Sequence, residues 1–173
     1  MVAGAAVWKV ALELLVVTAA LLDIKTRRIP NWLTLPGLVV GIALHQTGIR
    51  DSLTGAGLAF LVYFALFAIR AMGGGDVKLM SAVGAFVGWK AWLWIFAVTA
   101  MTGGAFVIVS RLIRGDLGRV LGNVGTILGS WARGRAPHTE NPELDVSHPT
   151  ARTSPHGAFI AVGTILYLLI DPK

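Results

Sequence analysis

Long apolar stretches separated by short polar ones dominate the chain. Several of them approach the roughly 20 residues that a membrane-spanning helix needs. They lie at about 4–22, 33–49, 53–71, 79–89, 91–110 and 156–171. Only Trp89 and Lys90 separate the fourth stretch from the fifth, which predicts a tight turn with interfacial tryptophans; one long re-entrant hairpin is the alternative. The pattern therefore predicts an all-α, polytopic membrane bundle of about six transmembrane helices.

Composition narrows the class of protein. The chain has 173 residues, of which 55% are hydrophobic and 14% charged, and its mean hydropathy is +0.71. These values exclude an ordinary soluble domain and favour a single membrane-embedded domain over residues 1–173. The formal charge of +6 does not indicate nucleic-acid binding, because the basic residues gather at the ends of apolar stretches rather than on one polar face. The absence of cysteine excludes disulfides, thiolate metal sites and a cysteine nucleophile.

The basic residues predict the orientation in the membrane. With six spans, eleven of the 15 basic residues fall in loops on one side, which the positive-inside rule places in the cytoplasm. Both termini are then outside, and the loops at 23–32 and 72–78 share the cytoplasmic face. The eleven residues are Lys25, Arg27, Arg28, Arg70, Lys78, Arg111, Arg114, Arg119, Arg133, Arg135 and Arg152.

The segment 111–155 is the least membrane-like part of the chain. Apolar residues recur at helical spacing between Arg119 and Arg133, which predicts an amphipathic helix lying on the lipid of the cytoplasmic leaflet. The residues that follow are rich in Pro, Ser, Thr and charge, so we expect a flexible cytoplasmic loop there.

Two aspartates stand at the cytoplasmic ends of predicted spans. Asp23 closes the first stretch, and Asp76 follows three glycines and precedes the fourth. Either acid alone could be a solvated interfacial residue. Two carboxyl groups at one membrane depth can instead form a dyad, in which one keeps a proton while the other activates water for attack on a peptide carbonyl. Glycines at 73–75 would let an extended substrate backbone approach.

Such a dyad needs no metal or other cofactor, and we expect neither. His45, His138 and His148 show no spacing typical of metal ligands.

The two acidic motifs resemble those of a known family. Asp23 is followed by Arg28-Ile29-Pro30-Asn31, and Gly73-x-Gly75-Asp76-x-Lys78 precedes a helix with small residues, LMSAVGAFVG. Together they resemble the prepilin peptidases, or type IV leader peptidases, which are membrane-embedded aspartic proteases of the G-x-G-D type. A third similarity is SPHGAFIAVG at 154–163, where the family tends to have Pro, an aromatic residue and Gly; here His156 stands in place of the aromatic residue.

The resemblance implies a function and a site. Asp23 and Asp76 would be catalytic, and Gly73, Gly75 and Lys78 would contact the substrate, a type IV or Flp-type prepilin or a pseudopilin cut after a Gly. The protein would lie in the bacterial inner membrane with its active site facing the cytoplasm. The size is similar to that of short Flp/Tad-type members, and without cysteine the chain lacks the segment with paired CxxC motifs that carries methyltransferase activity in larger members. Whether the chain forms a homo-oligomer stays open.

Other functions remain alternatives. Another G-x-G-D protease could act on signal peptides or membrane stubs, but the Tyr-Asp and Pro-Ala-Leu motifs of presenilin relatives do not occur in the chain. A small transporter or channel could bind cations with its two acids, and a pilus or secretion assembly protein would carry out no catalysis.

Overall fold

The computed structural model describes residues 2–46, 48–113 and 155–170, with a few isolated positions between 118 and 130. All regular structure in these residues is helical, which confirms the predicted all-α class. The helices are α1 (Val2–Thr26), α2 (Asn31–Leu44), α3 (Ile49–Ala68), α4 (Gly74–Ile113) and α5 (His156–Ile170). The predicted surface helix and loop at 111–155 lie outside the described residues, apart from the end of α4 and those isolated positions.

Two helices in the described part of the chain are long and apolar enough to cross a membrane. They are Ile49–Ala68 and Gly74–Ser110, the second counted through a break at Gly88, while α2 and α5 are shorter apolar helices. Large apolar side chains such as Leu14, Leu61 and Met101 are exposed on the outside of the bundle. The inside is filled by buried side chains of α1, α3, α4 and α5, among them Leu12, Tyr63, Met80, Trp92 and Ile160.

Helix α4 is broken at Gly88, where φ is 76° and ψ is 173°. This backbone conformation is essentially restricted to glycine. Gly84 before the break and Gly88 itself lie against the start of α3 at Gly55, whereas Trp92 after the break packs against Tyr63 further along α3. The chain therefore doubles back at Gly88, one residue before the turn predicted at Trp89 and Lys90, and α4 consists of two limbs, 74–87 and 89–113.

Side chains just after α2 and at the start of α3 support the break. The His45 ring has Nδ1 2.8 Å from the carbonyl oxygen of Phe86 and Nε2 3.1 Å from Oδ2 of Asp51. The Ser52 hydroxyl donates a hydrogen bond of 2.8 Å to the carbonyl oxygen of Ala85. Because a helix break leaves carbonyl groups without their usual partners, these contacts satisfy the chain where it reverses.

The first limb of α4 and α3 approach each other at glycines. A Cβ atom at Gly55 would overlap the carbonyl oxygen of Gly84, and one at Gly84 would overlap the carbonyl oxygen of Gly55. Small residues that let backbones approach are typical of helix pairs in membranes. This contact fixes the position at which the first limb packs on α3. The same limb carries Asp76 in its first turn.

Substituting these glycines is expected to destabilise the bundle. Gly55→Ala or Gly84→Ala forces the two backbones apart, and overpacking of this kind costs about 1–3 kcal/mol. Thermal unfolding of the detergent-solubilised protein should show lower midpoints for both variants. Gly57→Ala is the matched control, because a Cβ there meets nothing within 4 Å. Equal midpoints for Gly55→Ala and Gly57→Ala would contradict the close contact.

Candidate active site

Asp23 lies in the last turn of α1 and is buried, with 8% of its surface exposed. Its Oδ2 accepts a hydrogen bond of 2.8 Å from the backbone N–H of Gly157, in the first turn of α5. Just beyond it, Arg27 adopts a left-handed conformation with φ of 54°, which ends the helix. The sequence LLDIKTRRIP thus places the carboxyl group where α1 stops and α5 begins.

Asp76 lies in the first turn of α4 and is half-buried. Its backbone N–H donates a hydrogen bond of 3.2 Å to the carbonyl oxygen of Gly73. Asp23 lies within electrostatic reach of the Asp76 carboxyl group. The structure therefore brings together the two acids that the sequence placed at one membrane depth.

Ile29 holds the two acidic motifs against each other. It is buried, and a Cβ atom at Gly75 would lie 3.0 Å from the Ile29 Cβ. A Cβ at Gly157 would lie 3.2 Å from Cδ1 of the same side chain. The glycine at 75 is thus required for close packing, a reason that the sequence did not reveal.

The three residues predicted to contact the substrate lie in different surroundings. Gly73 is exposed at the start of α4, whereas Gly75 faces Ile29. Lys78 is exposed, and its Nζ donates a hydrogen bond of 2.7 Å to Oδ1 of Asn31 in α2. This bond joins the beginnings of α2 and α4. Their roles in substrate binding stay predictions.

Tyr63 and His156 also lie beside the acids, and the sequence did not single them out as site residues. The Tyr63 hydroxyl lies 3.4 Å from Nε2 of His156, and Tyr63 is within electrostatic reach of Asp76. The motif at 154–163 marked His156, but only as a departure from a family pattern. The available signal for Tyr63 was a hydroxyl inside an apolar stretch, where such groups tend to bond across helices.

No group of three or more His, Asp or Glu side chains that could hold a metal ion occurs in the described residues. The arrangement that these residues do provide is a pair of interacting carboxyl groups at the ends of two helices. One of them is buried and bonded to a backbone N–H, and the other lies beside an exposed glycine. Such a pair can exchange protons with a water and a peptide bond.

Comparisons with known proteins place the chain in a family. Residues 10–108 match the type IV leader peptidase family. A prepilin leader peptidase/N-methyltransferase of Escherichia coli K12 is 31% identical over 57% of this chain and 49% of its own length. One of Myxococcus xanthus is 32% identical over 60% of this chain and 34% of its own. One of Pectobacterium carotovorum is 30% identical over 64% of this chain and 44% of its own length.

The chain spans about a third to a half of the length of these curated relatives. No solved structure matches it significantly. The family match covers more than half of the chain and includes both acidic motifs. The chain therefore belongs to the type IV leader peptidase family.

Proposed function

We propose that this protein is an aspartic endopeptidase that removes the leader of type IV or Flp-type prepilins or pseudopilins. The observation that carries the proposal is the interaction of Asp23 with Asp76, each within its own motif in the matched region. The names of the relatives supply the substrate class, since they are called prepilin leader peptidases. Asp23 and Asp76 share the roles of general acid and base.

The proposed chemistry follows from the repulsion between two carboxylates. Because both cannot readily be ionised together, one retains a proton. The ionised carboxylate takes a proton from a water, whose oxygen attacks the peptide carbonyl, while the protonated acid donates to the carbonyl oxygen. The tetrahedral intermediate then collapses as a proton passes to the leaving amine. The exposed backbone at Gly73 gives an extended peptide access to Asp76.

We further propose that the six helical segments, counting α4 as two limbs, cross the bacterial inner membrane with the dyad on the cytoplasmic side. The loops beside the dyad carry Arg27, Arg28 and Arg70, whereas the loop between α2 and α3 precedes the single basic residue Arg50. This asymmetry supports a cytoplasmic active site and external termini. The exposed apolar side chains of α1, α3 and α4 supply the surface that faces lipid.

The topology can be tested with single cysteines, because the native chain has none. Gln46→Cys, in the loop between α2 and α3, should react with a membrane-impermeant maleimide in intact spheroplasts. Ala71→Cys, in the loop before α4, should react only after the membrane is permeabilised. Both positions are exposed on the protein, so a difference in labelling between them is not explained by burial of either side chain. Labelling of Ala71→Cys in intact spheroplasts would overturn the orientation.

Co-expression with prepilins encoded near this gene tests the function. At least one of them is expected to lose its leader, which immunoblotting detects as a shorter pilin. Prepilins that stay at full length when the protein is present in the membrane would count against the peptidase and favour a transporter or an assembly protein.

A further inference from the structure

The first turn of α5 touches both halves of the candidate site. The backbone N–H of Gly157 is bonded to Asp23, and the side chain of His156, one residue earlier, meets Tyr63 of α3. The His156 and Tyr63 ring centroids are 5.9 Å apart. The residue that precedes Gly157 is therefore itself in contact with another helix.

Tyr63 is a rigid anchor for this contact. Its side chain is 1% exposed and lies edge-on to Trp92 and Phe96, at centroid distances of 6.5 and 5.9 Å. Trp92 and Phe96 in turn stack on each other at 5.4 Å. With its ring held on this side, the Tyr63 hydroxyl has a fixed position beside His156 and within electrostatic reach of Asp76.

The bond from Gly157 affects how Asp23 shares a proton with Asp76. A hydrogen bond donated to a carboxylate stabilises its ionised form, and the N-terminus of a helix adds to this effect. Burial of the Asp23 carboxyl group is the largest influence on it and favours the protonated form, and the Gly157 bond and the charge of Arg27 both oppose that influence. A small displacement of the first turn of α5 would weaken this bond.

We propose that Tyr63 and His156 are positioning residues, whose contact holds the Gly157 N–H on Asp23 and so makes Asp23 the ionised member of the pair. In the peptidase reaction, Asp23 is then the general base and Asp76 the general acid. This inference rests on the proposed function. Neither Tyr63 nor His156 is required to touch the substrate.

Kinetics of the purified enzyme on a prepilin peptide test the pair. Tyr63→Phe removes one hydroxyl and should lower kcat about three- to tenfold, the size of one hydrogen bond, with KM nearly unchanged. His156→Phe keeps a ring and should lower kcat similarly. The kcat of the double variant should be no lower than that of the less active single variant, since the two residues act through one contact. Tyr167→Phe removes the only other tyrosine hydroxyl, towards the far end of α5, and should leave kcat unchanged.

The pH profile separates positioning from a general loss of structure. Without the Gly157 bond, Asp23 ionises at higher pH, so the acidic limb of the kcat profile should move to higher pH in Tyr63→Phe and His156→Phe. A fall in rate that is uniform over the whole pH range would overturn the proposal, as would wild-type kinetics. Because His156 can itself titrate, a shift in His156→Phe without one in Tyr63→Phe would also count against the shared contact.

Hydrogen exchange gives a measurement that does not depend on activity. Amides at 156–160 should exchange faster in Tyr63→Phe than in wild type, and Tyr167→Phe should not change them. Unchanged exchange in Tyr63→Phe would contradict the positioning role even if no cleavage could be assayed.

Asp23→Asn distinguishes the two proposals. If this variant still cleaves, the proposed function fails, whereas an inactive Asp23→Asn beside a fully active Tyr63→Phe removes only this inference.

Discussion

Asp23→Asn and Asp76→Asn are each expected to abolish leader cleavage while the protein remains folded in the membrane. General acid–base catalysis contributes about a hundredfold to ten-thousandfold in rate, so each variant should lose at least about a hundredfold. Asparagine keeps the size and polarity of the side chain, and its oxygen at position 23 can still accept the Gly157 N–H. The substitution therefore removes the exchangeable proton while it largely preserves the packing of the side chain. Cleavage of a co-expressed prepilin, normalised to the amount of membrane protein, measures the loss.

The double variant provides a sharper form of the same prediction. Residues that act as a unit are not additive, so Asp23→Asn with Asp76→Asn should be no worse than either single variant. The wild-type rate should follow a bell-shaped pH profile whose limbs belong to the pair. Glu13→Gln is the matched control, because Glu13 is an exposed carboxylate on the same helix as Asp23. Near-normal cleavage by either single variant would exclude a shared dyad.

Gly157→Ala is expected to have the second largest effect. A Cβ atom at this position would lie 3.1 Å from both Cβ and Oδ2 of Asp23 and 3.2 Å from Cδ1 of Ile29. Since Asp23 and Ile29 are buried, the new methyl group has to push the first turn of α5 away from Asp23. Misplacement of a catalytic group by about 1 Å can cost on the order of a hundredfold in rate. Purified Gly157→Ala should show that loss in kcat.

Gly104→Ala controls for the effect of alanine in a helix. Gly104 lies in the second limb of α4, where a Cβ meets nothing within 4 Å. Alanine there should leave cleavage unchanged and stabilise the helix by up to about 1 kcal/mol. If Gly157→Ala and Gly104→Ala were equally active, the contact between α5 and Asp23 would have no role in the reaction.

Hydropathy located the helices but not all of their ends. The first apolar stretch was placed at 4–22, yet α1 continues to Thr26, whose hydroxyl bonds back to the carbonyl oxygen of Leu22 at 2.8 Å. Hydropathy marks where a helix suits lipid, whereas the backbone remains helical through polar residues until Arg27. For this reason Asp23 lies within a helical turn rather than in a loop.

The reversal in α4 was predicted one residue late for a related reason. The tryptophans at 89, 92 and 94 indicated an interface, but the backbone at the break needs a positive φ, which only Gly88 supplies easily. That glycine was visible in the sequence. Its support by His45 and Asp51 was not, because His45 meets a carbonyl group 41 residues away.

The pairing of Asp23 with Asp76 followed from topology and motif, without side-chain geometry. The contacts that surround the pair required the fold. Tyr63 and His156 are 93 positions apart, and nothing local to either residue indicates the other. Gly75 was predicted to give a substrate room, and its packing against Ile29 could be seen only after α1 and α4 had been brought together.

Leader release from a purified prepilin in proteoliposomes tests the central claim most directly, because neither a transporter nor an assembly protein would shorten the substrate. Mass spectrometry should find a leader that ends in Gly and a correspondingly shorter pilin when the wild-type protein is reconstituted. Vesicles with the same amount of the Asp23→Asn, Asp76→Asn double variant should yield only intact prepilin. An intact prepilin with the wild type, or equal cleavage by the double variant, would contradict the account.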